Sequence, residues 1–360
     1  MRFWFRRRKE RKGAISVLCA ILLVPLMGIL ALAIDYGYLL KTRTDLQRAA
    51  DAAALAAVQK LVPDSEGYQD LNAARDAVVN YVKMNMDLSF QVRDADIEIG
   101  RFDASKIYSN VVLVNSGVYD AVRVTVRYDE AANAPVSLFF ARVIGIDDAE
   151  VSATATAILQ KASSLGTGAD ILPIAVPLEA WEKIFVGDDW NIYGDGKLTS
   201  EFGDEIPGNW GTVDINSDDN SNSDLVDQIR NGLRQEDLDE LYDANRIPSP
   251  TKIDADEPLW VNADTGLSSG MKSAVREVHG KTRIVPIYDW QDVANGNNLE
   301  FHVVGWGSVT VIDSHWKGNK DTFITIRKSY LYDGDILPHR DLRQTVGVIE
   351  GAYTSPILVE

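Results

Sequence analysis

Hydrophobic positions fall along this chain in three regimes. From 13 to 34 they are continuous, with no Asp, Glu, Lys or Arg among them. From 36 to 61 apolar and small residues recur at helical spacing. From about residue 90 they alternate with polar residues in short runs. The first regime covers about 22 residues, or roughly 33 Å of helix, enough for a hydrocarbon core of about 30 Å. It predicts a membrane-spanning helix. Pro25 lies inside it, where a soluble helix would break but a membrane helix tolerates proline.

No turn signal separates the span from the second regime. Asp35-Tyr36-Gly37 marks the interface, with Tyr36 and Tyr38 at headgroup depth. The run Leu46-Gln47-Arg48-Ala49-Ala50-Asp51-Ala52-Ala53-Ala54-Leu55-Ala56-Ala57 follows, dominated by the strongest helix former. Leu39, Leu46, Ala50, Ala53 and Ala57 make a narrow small-residue face, with Arg43, Gln47 and Asp51 elsewhere. Such a face lets another element approach closely. It fits packing on the protein's own domain, and it fits lateral packing on helices of other subunits.

Residues 72–84 predict a second amphipathic helix. Strands are expected at 97–99, 111–114, 122–128 and 151–157. The apolar run 136–144 reads as a short helix with Phe139 and Phe140 buried. Residues 35–160 then form a small α+β module, a long helix packed on an antiparallel sheet. Residues 161–170 read as a flexible linker. Beyond it, 171–360 predict a β-rich domain with strands at 171–176, 282–287, 301–306, 309–312 and 323–326, and short helices at 225–232 and 268–279. The expected class is α+β: an N-terminal transmembrane helix continuing into the long helix of the module, followed by the β-rich domain.

Charge orients this arrangement. Arg2, Arg6, Arg7, Arg8, Lys9, Arg11 and Lys12 precede the span, while only Lys41 and Arg43 lie near its other end. The positive-inside rule puts residues 1–12 in the cytoplasm and everything after Asp35 outside. Ala31-Leu32-Ala33 would fit a signal-peptidase site, but the apolar stretch exceeds the roughly 7–15 residues of a signal core. An uncleaved, single-pass anchor is the better reading. The formal net charge is −17, and the tail contributes +6, leaving −23 for the remainder. An exterior this acidic argues against binding nucleic acid or an anionic membrane surface. The one cysteine, Cys19, lies in the span, so no intramolecular disulfide forms. It reads as an apolar filler.

The basic tail, Lys12-Gly13-Ala14-Ile15, the span ending in Ala33-Ile34-Asp35, and the Leu46 to Ala56 run together resemble the TadE/TadG-like family of Tad (Flp) pilus-assembly proteins. Phe139-Phe140-Ala141-Arg142-Val143-Ile144-Gly145 and the strand at 151–157 resemble the end of that family's first module. The resemblance implies a non-enzymatic, membrane-anchored component of a pilus or related secretion machine. It also implies a bacterial inner-membrane location, the membrane bound through residues 13–34, and protein partners in the assembly machinery. Oligomers through the alanine-rich helix are a further expectation. Some members are pseudopilins, cleaved after a glycine and carrying a glutamate five residues on. Here the glycine would be Gly13 and the fifth residue is Leu18, which points to the permanently anchored TadG-like type. The segment 208–214 and the strand Val303-Val304-Gly305-Trp306 resemble a C-terminal module of some TadG-like proteins.

Candidate chemistry is sparse. Asp219-Asn220-Ser221-Asn222-Ser223 matches the D-x-S-x-S signature of a von Willebrand factor A metal site, but loop residues precede it where a buried strand is needed. Asp214, Asn216, Asp218 and Asn220 have EF-hand spacing, but the sixth position is Asp219 and the twelfth is Leu225, in place of glycine and glutamate. Asp195-Gly196-Lys197 with Asp188 and Asp189 is another incomplete acidic loop. His279, His302, His315 and His339 show no metal spacing, and no nucleophile elbow, Walker loop or dinucleotide fingerprint is present. Trp181, Trp190, Trp210, Trp260, Trp290, Trp306 and Trp316 crowd the C-terminal region as core or as a carbohydrate platform. The sequence therefore assigns no catalytic, cofactor-binding or metal residue. The alternative to an assembly component is a tethered adhesive exterior that binds sugar, calcium or magnesium.

Overall fold

The computed structural model describes residues 14–103, 113–114, 118–194, 197–200, 205–207, 211–216, 221–265, 267–294, 298–318, 321–338 and 349–359. The basic tail lies outside them. Contacts divide the chain into two units. One comprises Met1–Ala53, Val78–Ile97 and Arg123–Ala155; the other comprises Ala54–Ala77, Glu98–Val122 and Thr156–Glu360.

The first unit is organised by one helix, α1 (Ala14–Val58), 45 residues long and uninterrupted at Pro25. Its apolar end has a mean hydropathy of 2.9 over an 18-residue window, none of it buried. Its other end is the reverse: Leu46, Ala49, Ala50 and Ala53 are 0% exposed. Thus one helix changes from an all-apolar, uncovered rod to an amphipathic helix with a filled face. The expected oligomer contact through the alanine-rich helix gains no support here, because Leu46, Ala50, Ala53 and Ala57 of that face are buried in the chain itself. The other side of the same stretch stays partly exposed at Ala52, Leu55 and Ala56.

Two strands of this unit, β1 (Ala121–Tyr128) and the start of β2 (Val151–Leu165), lie near that helix. Gln47 donates to the Thr154 carbonyl at 3.2 Å and to Asp51 at 2.8 Å. Thr125 and Thr154 share a hydroxyl hydrogen bond of 3.0 Å across β1 and β2. Arg127 ties Asp96 at 2.6 Å and Asp129 at 3.0 Å. The second expected helix appears as α2 (Leu71–Asn85).

The expected linker is corrected as well. Residues 161–165 are the end of β2, with Ala162 and Leu165 fully buried. There β2 pairs antiparallel with Ala352–Val359, Tyr353 opposite Lys161. Serine and small residues read as flexible in sequence, yet Ser163 and Ser164 are buried strand residues.

The second unit is β-rich, as expected, and contains a closed ring. Strand β3 (Ile174–Pro177) pairs with β4 (Gly211–Asp214), which pairs with β5 (Leu259–Thr265). The ring continues through β6 (Thr282–Ala294) and β7 (Asn298–His315), which form a long hairpin. Strand β5 joins β7, and β6 returns to β3 in parallel. Closure leaves these five strands no free edge within the ring. The far half of β7 continues into an open sheet through Phe323–Lys328, Asp189–Tyr193, Lys197–Ser200 and Glu205–Pro207.

Strand periodicity feeds two cores. Ile174 and Val176 enter one cluster with Trp181 and Trp190, while Ala175 between them enters the other with Phe301 and Trp306. Gly307 is needed where the Trp181 ring passes: a Cβ there would meet it at 2.2 Å. Sequence periodicity missed the helix Gln235–Asp243, in which Leu238 and Leu241 are the buried pair among mostly polar residues.

Replacing Ala50 by Leu should destabilise the first unit by about 1–3 kcal/mol, the cost of forcing extra methylenes into a filled site. Chemical denaturation of the detergent-solubilised chain checks this; an unchanged midpoint would show that the face is loose.

The Asp35 clamp, a candidate functional site at the helix exit

One residue past the apolar run, α1 carries an acid that is almost wholly buried. Asp35 is 3% exposed. Its carboxylate accepts three backbone hydrogen bonds, from the N–H groups of Phe139 and Phe140 at 2.9 Å each and of Ala141 at 2.7 Å. These amides open the short 3₁₀ turn Ala141–Ile144, whose own N-cap residue, Phe140, supplies no side-chain cap. Asp35 therefore caps, from across the unit, a helical turn more than a hundred residues away in sequence.

A carboxylate surrounded by donors favours its charged form. Burial works to raise the Asp35 pKa, but the three amides and the nearby Arg142 charge outweigh it and hold the group below the usual carboxylate range.

The clamped segment is a closed hairpin. Val136–Ser137 pairs with Asp148–Ala149, and Leu138 N–H donates to the Asp147 carbonyl at 3.0 Å. Gly145 ends the turn at a φ of 87°, a left-handed conformation suited to glycine. Tyr38, one turn along α1 from Asp35, meets the Phe139 ring edge-on with centroids 5.5 Å apart. An adjoining groove of about 560 Å³ is lined by Tyr38, Lys41, Thr42 and Asp45 on the helix and by Met86, Tyr128, residues 133–139 and Arg142. Its far wall is fixed by Asn133, which sits at a φ of 65° and donates to the carbonyls of Gln91 at 2.9 Å and Arg127 at 3.0 Å.

The expected burial of Phe139 and Phe140 is corrected. They are 65% and 43% exposed, and the helical turn begins only after them. The sequence signal for the clamp was present: a lone acid ending an apolar run. It read as an interface marker because its partners lie far away in the chain.

The sequence-level candidates of the second unit separate in space. Of the D-x-S-x-S run, Asp219 and Asn220 lie outside the described residues. Ser221 instead caps the helix α3 (Asn222–Asn231), its hydroxyl accepting from Asp224 N–H at 3.2 Å. Asp214 and Asn216, first in the EF-hand spacing, are 0% and 4% exposed. Asp214 accepts from Gln228 at 3.0 Å, and its other carboxylate oxygen has no partner. Asp218, Asp195, Gly196, His339 and Trp210 also lie outside the described residues. Asp189 pairs with Arg327 at 2.6 Å, and Asp188 accepts from the Phe185 N–H at 3.3 Å. His279 bonds Ser314, His302 bonds Asp289, and His315 stacks on Phe323. Among the described residues no three His, Cys, Asp or Glu side chains form a metal-holding group. Trp181, Trp190 and Trp306 are buried core, and Trp316 packs beside it. Trp260 is half-buried against His302 and lines a polar groove with Arg246 and Glu300.

Two outcomes follow for titration. With its folded pKa lowered, Asp35 contributes stability above its unfolded value of about 3.9. That contribution is lost as pH falls through the lower folded value. Limited proteolysis should therefore leave the 139–146 hairpin intact at pH 7 and cut it in Asp35→Ala at the same pH. Equal cutting of both proteins would show that the clamp does not hold the hairpin. Asp214 behaves oppositely. Burial, with the neighbouring Asp224 charge, raises it to about 7 against the Gln228 hydrogen bond. The folded chain keeps a proton that the unfolded chain has released, so stability should fall as pH rises from about 4 to 7. Asp214→Asn should flatten that slope in a melting series; an unchanged slope would place the titration elsewhere.

Comparison with known proteins bears on the N-terminal part of the chain. Residues 13–60 match the family described as putative Flp pilus-assembly TadE/G-like, and residues 38–157 match the one described as putative Tad-like Flp pilus-assembly. No curated protein and no solved structure matches the chain. The two overlapping matches contain the span, the alanine-rich helix, Asp35 and the hairpin it clamps, and they place residues 13–157 of the chain with the Tad (Flp) pilus-assembly family.

Proposed function

We propose that this protein is a membrane-anchored assembly component of a Tad (Flp) pilus, of the permanently anchored TadG-like type, with a structural and non-catalytic role. The carrying observation is the single 45-residue helix, uncovered along its apolar end and buried along one face of its alanine-rich end. Such a helix transmits position. The span fixes where the first unit sits, and the Asp35 clamp fixes a hairpin against the helix at the membrane exit.

The chain lies N-terminus inside, with everything after Asp35 on the outer side of a bacterial inner membrane, a reading the charge imbalance around the span supports. Residues 156–360 contribute a β-rich body, and the protein's partners dock on the exteriors of the two units. The buried alanine face is not among the docking surfaces.

A strain lacking the gene should lose its pili and regain them with the full chain. A version exported by a cleavable signal in place of residues 1–34 should not restore them. Full piliation from that unanchored version would contradict the proposal. Alkaline phosphatase fused after Glu360 should be active, and an inactive fusion would reverse the orientation.

A further inference from the structure

We propose that the hairpin clamped by Asp35 is a second membrane contact, whose tip inserts into the acyl–headgroup boundary of the leaflet that α1 leaves. Five side chains of this tip are turned outward. Phe139 is 65% exposed, Phe140 43%, Val143 88%, Ile144 66% and Ile146 50%. A soluble surface rarely leaves five large apolar side chains uncovered within eight residues.

The position of the tip identifies what covers it. Asp35 directly follows Ile34, the last residue of the apolar run, and Ile34 is itself 48% exposed. The amides of Phe139, Phe140 and Ala141 lie 2.7–2.9 Å from that carboxylate. The tip is therefore held at the level where the span ends, and its apolar surface continues the lipid-facing surface of the helix. A phenylalanine pair beside Tyr36 and Tyr38 is the composition of an interfacial aromatic belt.

Charge marks the same level. Within 138–146 the only charged residue is Arg142, which is exposed and long enough to carry its guanidinium to lipid phosphates. Acids resume at once beyond the tip, with Asp147, Asp148 and Glu150 all exposed. An apolar tip with one cation, ending abruptly in acids, matches a shallow insertion of about 5–10 Å. The overall acidity of the exterior does not oppose it, because the contact is apolar and local. With the span, it gives the first unit two attachments to one membrane and so fixes its rotation about the helix axis.

The proposal rests on the span reading, and the test separates the two. The full chain carrying Cys19→Ser receives a single new cysteine, at Val143 or, as a second site, at Ile144. The control is Arg48→Cys, on an exposed side chain about 20 Å further along α1. Each is labelled with an environment-sensitive fluorophore and reconstituted into phosphatidylethanolamine vesicles containing doxyl-labelled phosphatidylcholine. Vesicle flotation reports the span independently of the label. The Val143 and Ile144 labels should be quenched by the doxyl lipid, and their iodide quenching constants should be about ten-fold below that of the Arg48 label. Iodide quenching equal to the control in floating vesicles would overturn the proposal while leaving the span intact. Protection from both quenchers would also overturn it, in favour of a protein contact.

Discussion

A carboxylate cannot be buried at the end of a long apolar helical run unless something donates to it, and here three consecutive backbone amides do. That constraint organises the first unit. It needs a segment whose N–H groups are free, and the opening of a helical turn is such a segment. The turn must then lie beside the helix at the level of Asp35. The hairpin closure at Val136–Ser137 and Asp148–Ala149, the glycine at 145 and the Tyr38–Phe139 contact all follow from holding it there. The clamp ties the end of the apolar helical run to a hairpin more than a hundred residues away in sequence.

The alanine-rich stretch performs a second task on the same rod. Small side chains let the rest of the unit close on the helix, and Leu46, Ala49, Ala50 and Ala53 are fully buried there. Span and packed face are one uninterrupted helix. The passage from the apolar run to the packed face is therefore made by continuous helical backbone, with no break between them.

Much of this was legible in sequence where the signal is local. The span, the alanine helix, the helix at 71–85 and most strands follow from hydrophobic period, and the family signature lies in the same stretch. What escaped depends on distant partners. Phe139 and Phe140 read as core because they are large and apolar, yet they flank the Asp35 contact with their rings exposed. Serines 163 and 164 read as linker, although Ser164 is held in a strand opposite Asp254. Asp35 read as a boundary marker because no local pattern reveals a cap supplied to residues 139–141. The five-stranded ring was likewise invisible, since its closure rests on a two-residue parallel pairing of Ile287 and Tyr288 with Val176 and Pro177.

The central claim is that the Asp35 carboxylate holds the amides of residues 139–141 in the membrane-embedded chain. Hydrogen–deuterium exchange of those three amides, in the full protein reconstituted in lipid nanodiscs at pH 7, tests it most directly. Slow exchange that becomes fast in Asp35→Ala, while the amides of Ala49 and Ala50 stay protected, is the predicted result. Fast exchange at 139–141 in the unaltered protein would contradict it.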